Sequence, residues 1–120
     1  VKYAKERVQF DVPISQFEAI QFYLAEMATT IFAMESMVYR TAFDYDAGRQ
    51  ISRQAAQVKY FCSEGLQKVV DRAVQIHGGM GYSRELPVER YFRDAKITEI
   101  YEGTSEIQRL VISRAELGLR

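Results

Sequence analysis

Residues 17–45 read FEAIQFYLAEMATTIFAMESMVYRTAFDY, and their largely apolar stripe recurs at alternating steps of three and four residues. The nine members of this stripe are Phe17, Ile20, Leu24, Met27, Ile31, Met34, Val38, Thr41 and Tyr45. Such spacing matches the turn of an α-helix and cannot arise from the two-residue period of a strand. The sequence therefore predicts one long helix, which Gly48 would end.

The segment before this helix also has a helical composition, with one interruption. Residues 1–9 predict a helix that is broken by the time Pro13 is reached, because proline lacks a backbone donor and favours an extended predecessor. Ser15 and Glu18 then form an S-x-x-E capping box, the sequence signature of a helix start. We therefore expect the long helix to begin with a cap at Ser15.

A second long helix is predicted for residues 52–76, with Ser52 as its cap and the pair Gly78 and Gly79 as its end. Gly65 lies in the middle of this helix, where glycine costs about 1 kcal/mol relative to alanine. A glycine tolerated at such a position suggests that another helix approaches closely there.

Two shorter helices complete the pattern, one beginning at Pro87 and one capped by Thr104. No tandem repeat or low-complexity stretch interrupts the chain. We predict an all-α fold, an up-and-down domain resembling a four-helix bundle, which occupies residues 1–120 as a single domain. The wide apolar faces either dock on further helices, domains or subunits, or are buried among the helices themselves.

Composition excludes several classes of function. Sixteen basic residues balance sixteen acidic ones, so the chain has no net positive charge with which to bind nucleic acid or an anionic membrane. Cys62 is the only cysteine and His77 the only histidine, so neither an internal disulfide nor a common zinc or di-iron site can be built, and we expect no metal. No apolar run approaches the ~20 residues of a membrane span. These features predict a soluble intracellular domain.

One carboxylate has unusual neighbours. Glu102 lies within ITEIYEGT, residues 97–104, between aromatic and aliphatic residues and just before the helix that Thr104 caps. Partial desolvation there would strengthen the carboxylate as a general base. The alternative is an ordinary exposed loop glutamate, which the residues taken alone favour.

Four motifs in register resemble the acyl-CoA dehydrogenase family. They are RVQF at 7–10 followed by Pro13 and Ile14, VQIHGGMGY at 74–82, ELPVER at 85–90 with Arg93 and Asp94, and IYEGTSEIQ at 100–108. The resemblance extends over essentially the whole chain. It implies that these residues form most of the C-terminal helical domain of a longer enzyme, without the front of that domain's first helix.

The resemblance also implies an activity and a cofactor. Members of the family remove hydrogen from the α and β carbons of a fatty acyl-CoA thioester, with FAD as the acceptor. Glu102 matches the catalytic base of the family's Y-E-G-T motif, and its backbone N–H matches a donor to the thioester carbonyl. Tyr101 and Gly103 would line the substrate pocket beside it. Thr104 and Glu106 match FAD contacts, although relatives usually carry Gln at the second position.

Further FAD contacts are implied on a neighbouring subunit. Arg7 matches an arginine that reaches the neighbour's pyrophosphate, and Gln75, Gly78 and Gly79 match the loop that meets its adenosine end. Each active site would then need two subunits, so the resemblance predicts a homo-oligomer, a dimer or a tetramer. In the turn after Phe10, Asp and Val replace the family's usual Gly and Lys.

Partners and compartment follow from the same resemblance. An electron-transfer flavoprotein would be the electron acceptor, and the enzyme would be cytoplasmic, or in the mitochondrial matrix if eukaryotic. Two alternatives remain open: an acyl-CoA oxidase, which passes electrons to oxygen, and an isolated helical oligomerisation module with no flavin or activity of its own. We expect the 120-residue chain alone to be inactive, because half of the flavin and acyl pocket would be missing.

Overall fold

Two long antiparallel helices form the body of the molecule, in a computed structural model that describes residues 1–119 and leaves out Arg120. The helices are α1 (Lys2–Glu6), α2 (Glu18–Asp46), α3 (Ser52–His77), α4 (Gly79–Tyr82), α5 (Val88–Ile97) and α6 (Ser105–Leu117). Helices α1 and α2 are separated by a short hairpin and a 3₁₀ turn. The hairpin has two strands of two residues each, β1 (Val8–Gln9) and β2 (Val12–Pro13), and the 3₁₀ turn is Ile14–Gln16. The all-α prediction is confirmed.

The close approach predicted at Gly65 is present where α3 crosses α2. A Cβ added to Gly65 would lie 2.9 Å from the sulfur of Met34 and 3.2 Å from the Thr30 methyl. The absence of a side chain at Gly65 therefore lets these two helices pack closely at this point.

Helix α3 is the hub, since α1, α2, α4, α5 and α6 all contact it. Helix α6 runs antiparallel to α3, because Arg109 pairs with Glu64 at 2.6 Å and Glu116 pairs with Arg53 at 3.1 Å. The Arg109 guanidinium also lies 4.7 Å from the centre of the Tyr60 ring. These contacts fix the position of the α6 N-terminus along α3.

The N-terminal segment differs from the helix predicted for residues 1–9. Helix α1 ends at Glu6, and the chain then forms the hairpin, in which Val8 faces Pro13 and Gln9 faces Val12. The turn residues Phe10 and Asp11 have φ of 51° and 64°, as a two-residue hairpin turn requires. The backbone is already extended at Arg7 (φ −72°, ψ 121°), and Val8 and Gln9 pair as a strand, so the prediction is wrong beyond residue 6.

The capping box predicted at Ser15 is also wrong. Ser15 lies inside the 3₁₀ turn, and α2 is preceded by Phe17, which has no capping side chain. The Ser15 carbonyl instead accepts a hydrogen bond from the Gln21 side-chain amide at 3.0 Å. Ser52 likewise is the first residue of α3 and not its cap.

The remaining helix ends agree with the sequence. Gly48 and Gly78 follow α2 and α3 with φ of 73° and 58°, and Pro87 directly precedes α5. The Thr104 hydroxyl accepts a hydrogen bond from the Ile107 N–H at 3.4 Å and so caps α6. Residues 79–82 form the single-turn helix α4.

The molecule is thin and leaves much apolar surface uncovered. It measures 60 × 24 × 23 Å and its radius of gyration is 17.7 Å, whereas a compact domain of this length has about 14 Å. No large side chain among the described residues is fully buried, and Phe32 is 71% exposed. Of the two interpretations of the apolar faces, the one in which the helices bury these faces among themselves is therefore wrong. None of the helices in residues 1–119 has the length and hydropathy to span a membrane.

Candidate functional site

The loop between α5 and α6 holds Glu102 in an uncommon backbone conformation. Glu102 has φ of 53° and Gly103 has φ of 90°, both in the left-handed region. The loop is closed at its ends by the bond from the Ser105 N–H to the Glu99 carbonyl at 3.0 Å. A left-handed residue with a side chain is strained, which is a feature seen more often at functional sites than elsewhere.

A side chain of α6 reaches back to this loop. The side-chain amide of Gln108 donates to the carbonyl of Glu102 and to the carbonyl of Gly103, at 3.1 Å each. A Cβ on Gly103 would lie 2.7 Å from the same nitrogen, so glycine is needed for the amide to fit. The loop is therefore tied to α6 by two bonds from one group.

A lysine ties the other side of the loop to α3. The Lys59 ammonium donates to the Thr98 carbonyl at 2.6 Å and lies 5.8 Å from the centre of the Tyr101 ring. An open depression of about 230 Å³ is lined by Tyr101, Lys59, Cys62 and Leu66, among others. Neither Lys59 nor Gln108 was identified from the sequence, because nothing in the order of residues indicates that these side chains reach the loop.

Glu102 is not desolvated on this chain, which agrees with the exposed loop glutamate that its neighbours in sequence favoured. Glu102 is exposed, and Tyr101 beside it is 52% exposed. No described element packs over the loop as a lid, so the flanking apolar residues do not shield the carboxylate. Shielding of Glu102 would have to come from groups outside this chain.

The N-terminus of α6 places further predicted residues next to Glu102. Thr104 and Glu106 lie in the two positions on either side of the first helical residue, Ser105. Hydrogen bonds from its own backbone N–H and from the Thr104 hydroxyl hold the pKa of Glu106 below its ordinary value. This is the behaviour expected of an anion at a helix N-terminus.

The other predicted cofactor residues meet in a separate groove. Arg7, Gln75, Gly78 and Gly79 all line a depression of about 560 Å³ between the hairpin and the end of α3. Space is open at both glycines, since a Cβ on either would touch nothing within 4 Å. The fold thus brings together residues about 70 positions apart in the sequence, and places the cation of Arg7 in the same groove as the open backbone of Gly78 and Gly79.

The groove and the Glu102 loop are well separated on this chain. Arg109, in the first turns of α6, pairs with Glu64, and the end of α3 at His77, directly before Gly78, lies 13 residues further along that helix. At 1.5 Å per residue this separation is about 20 Å along the helix axis. The two sets of predicted FAD residues therefore form two distinct surfaces.

His77 and Cys62 make structural contacts. The His77 ring stacks on Tyr3 with centres 4.2 Å apart, and its Nδ1 lies 2.7 Å from the Ala73 carbonyl at the end of α3. Burial raises the pKa of the Cys62 thiol, which is half-buried against α2. Within residues 1–119, no group of three or more His, Cys, Asp or Glu side chains is placed to hold a metal ion.

Known proteins match this chain over nearly its whole length. The family model for the acyl-CoA dehydrogenase C-terminal domain matches residues 1–117. The probable acyl-CoA dehydrogenase YngJ of Bacillus subtilis is 54% identical over 93% of this chain and 30% of its own length. Subunit CarC of the caffeyl-CoA reductase-Etf complex of Acetobacterium woodii is 45% identical over 94% of this chain and 30% of its own.

Solved structures share the fold. Butyryl-CoA dehydrogenase from Megasphaera elsdenii superposes with a TM-score of 0.95 at 46% identity, over 97% of this chain and 30% of that one. An FAD complex of PigA superposes with a TM-score of 0.91 at 30% identity, over 99% of this chain and 31% of that one. The chain spans about 30% of the length of the curated relatives it matches. By sequence and by fold, it belongs to the acyl-CoA dehydrogenase family.

Proposed function

We propose that this chain is the C-terminal helical domain of an FAD-dependent enzyme that dehydrogenates an acyl-CoA thioester between the α and β carbons. Glu102 is proposed as the base that takes the α-proton. The observation that carries the proposal is the Glu102 loop: Gln108 ties the strained carboxylate-bearing residue to α6, and Lys59 ties the start of the loop, at the Thr98 carbonyl, to α3. Loop geometry of this kind suits a group that must be placed accurately.

Glu102 would serve the reaction in two ways. Its carboxylate removes the proton from the α-carbon, while its backbone N–H donates to the thioester carbonyl, where negative charge develops. That N–H makes no hydrogen bond to a carbonyl of residues 1–119. Gly103 allows the substrate to approach the backbone, and Tyr101 covers one side of the thioester. FAD, when bound, would accept the hydride that leaves the β-carbon.

The residues present fit an FAD. Arg7 offers a cation for the diphosphate, and the open backbone at Gly78 and Gly79 lets a nucleotide come close, with Gln75 as a polar contact beside it. At the other surface, the N-terminus of α6 offers the Thr104 hydroxyl and the Glu106 carboxylate as hydrogen-bond partners for a polar part of the cofactor. The FAD complex of PigA, which has the same domain fold, supports this assignment.

The separation of the two surfaces supports a shared active site. One chain would present the Glu102 loop to its own flavin and the Arg7 groove to the flavin of a neighbouring copy. This arrangement requires a homo-oligomer, a dimer or a tetramer. It also explains why so many aromatic side chains of α2 are uncovered in the single chain.

The electron partner and the compartment belong to the same proposal. An electron-transfer flavoprotein is the proposed acceptor, supported by the relative that is a subunit of a reductase-Etf complex. The same relative favours a second candidate, an enoyl-CoA reductase, in which protonated Glu102 returns the proton to the α-carbon by the reverse of the same step. Cytoplasm, or the mitochondrial matrix in a eukaryote, remains our prediction for the compartment.

The test uses the full-length protein that contains this chain. Saturated acyl-CoA thioesters of increasing chain length and branching are added anaerobically, and bleaching of the flavin is followed. Bleaching by at least one thioester is expected; no bleaching by any saturated thioester, with reoxidation of the reduced flavin by an enoyl-CoA, would favour the reductase. Release of peroxide in air at the rate of turnover would instead favour an oxidase.

A further inference from the structure

We propose that Gln108 is a positioning residue that holds Glu102 in its catalytic conformation; this inference rests on the proposed function of Glu102. The side-chain amide of glutamine has two N–H donors. Both are within reach of carbonyls of the same loop, that of Glu102 and that of Gly103, each 3.1 Å from the amide nitrogen. Gln108 thus spans two consecutive peptide groups directly after the proposed base.

These two bonds act on the torsions that place the base. The Glu102 carbonyl belongs to the peptide that joins it to Gly103, and the next carbonyl belongs to the peptide that follows. These two peptides flank Gly103, so the bonds set its φ of 90° and hold the peptide on the C-terminal side of Glu102, whose own φ is 53°. Since a residue with a Cβ seldom adopts this conformation unaided, the surrounding structure must select it. The carboxylate and the N–H of Glu102 take their directions from that turn.

Gln108 is itself held in place. Its backbone N–H donates to the Thr104 carbonyl at 2.9 Å within the first turn of α6. Arg109, the next residue, pairs with Glu64 and packs over the Tyr60 ring, which anchors this turn to α3. One side-chain amide therefore links the position of the proposed base to the packed helices α6 and α3.

Two near-isosteric substitutions separate donation from space filling. Gln108→Met keeps the length of the side chain and removes both donors. Gln108→Glu keeps the shape and, when ionised, turns acceptors toward two carbonyl oxygens, whereas the protonated acid can donate to one of them. Gln50→Met is the matched control, because it makes the same substitution at an exposed glutamine outside the loop and α6.

The experiment measures anaerobic flavin reduction by a saturating acyl-CoA in the full-length holoenzyme, per bound flavin, with the acyl-CoA dissociation constant measured separately. Gln108→Met should lower the limiting rate by roughly tenfold to a hundredfold. Its effect on acyl-CoA affinity should be small. Gln108→Glu should be slower than Gln108→Met at neutral pH, and the ratio of their rates should shift in favour of Gln108→Glu as pH falls.

Each remaining outcome counts against the proposal. A Gln108→Met rate equal to wild type, or lowered only as far as that of Gln50→Met, shows that the loop does not depend on the amide. A pH-independent ratio between the two Gln108 variants shows that side-chain volume is what matters. Glu102→Gln is measured alongside. Flavin reduction at the wild-type rate in Glu102→Gln overturns the proposed function and this inference together. If Glu102→Gln loses flavin reduction while Gln108→Met reduces the flavin at the wild-type rate, only the inference is overturned.

Discussion

Left-handed backbone marks both candidate surfaces at the scale of single residues. Among the described residues other than glycine, positive φ occurs at Phe10, Asp11 and Glu102. The first two form the hairpin turn beside the Arg7 groove, and the third is the proposed base. Each such residue costs about 1–2 kcal/mol, so the fold maintains these turns against their local preference.

Gly103→Ala tests whether the conformation of this loop matters for the reaction. The new methyl group would lie 2.7 Å from the Gln108 amide nitrogen, on a residue with φ of 90°. We expect the limiting rate of flavin reduction to fall at least tenfold, with a loss of about 1–2 kcal/mol in stability. Gly118→Ala is the control, since Gly118 also has positive φ but nothing within 4 Å of the added methyl. Equal rates for the two variants would contradict the expectation.

At the scale of elements, the α2–α3 pair depends on Gly65. Gly65→Ala gains about 1 kcal/mol of helix propensity and presses only on the flexible end of Met34 and on the Thr30 methyl, so its net effect should be small. Gly65→Leu cannot be accommodated in this space and should destabilise by roughly 1–3 kcal/mol. Denaturant unfolding of the full-length protein measures both. Equal stability of the two variants would show that the helices can separate at this point without cost.

The turn between α2 and α3 depends on a buried carboxylate. Asp44 is 5% exposed and accepts hydrogen bonds from Arg40 at 3.3 Å and from Arg49. Burial acts to raise the pKa of Asp44, but the hydrogen bonds and charges of the two arginines outweigh it and hold that pKa below its ordinary value of 3.8.

This shift fixes the sign of a pH dependence. Because the pKa of Asp44 is lower in the folded state than in the unfolded state, ionised Asp44 stabilises the fold above about pH 3.8. This stabilisation is lost as the pH falls through the lower pKa of the folded state. Asp44→Asn should therefore melt at a lower temperature than wild type at pH 7, and the gap should narrow below pH 3.8. Thermal melts from pH 7 to pH 3 provide the measurement. A gap that stays constant or widens on acidification would rule out this role for the pair of arginines.

The elements show what the sequence could predict. Helix α2 was predicted because eight successive steps of three or four residues leave no alternative. The hairpin was missed because strands of two residues have no period, and its turn is formed by Phe10 and Asp11 where Asn-Gly would be the usual signal. The capping box at Ser15 was wrong because the chain after Pro13 forms a 3₁₀ turn, which places Ser15 before the helix start.

The candidate site was accessible to sequence in part. The Y-E-G-T motif singled out Glu102, and Thr104 was recognised as a cap. The convergence of Arg7 with Gln75 in one groove depends on tertiary contacts between the hairpin and the end of α3, which local patterns do not contain. The reach of Gln108 back to the loop is likewise visible only in three dimensions.

At the scale of the whole molecule, one face of α2 is unpartnered. Phe22, Phe32, Tyr39 and Phe43 are each more than half exposed and follow one another along the helix. The isolated 120-residue chain should therefore self-associate and bind no flavin. Light scattering after gel filtration measures its mass, and replacing Phe32 and Tyr39 by Ser should shift it toward the monomer. A flavin-free monomer at high concentration would show that these exposed aromatic side chains do not drive association. A yellow chain, which has bound flavin, would contradict the expected inactivity.

The central claim is that Glu102 is the base, and one variant tests it most directly. In the full-length holoenzyme, Glu102→Gln keeps the size of the side chain and the backbone N–H but removes the proton acceptor. We predict that a saturating acyl-CoA still binds this variant with near wild-type affinity, while anaerobic bleaching of the flavin falls by a factor of about 10² to 10⁴. Bleaching at the wild-type rate would mean that another residue takes the α-proton and that the assignment of Glu102 is wrong.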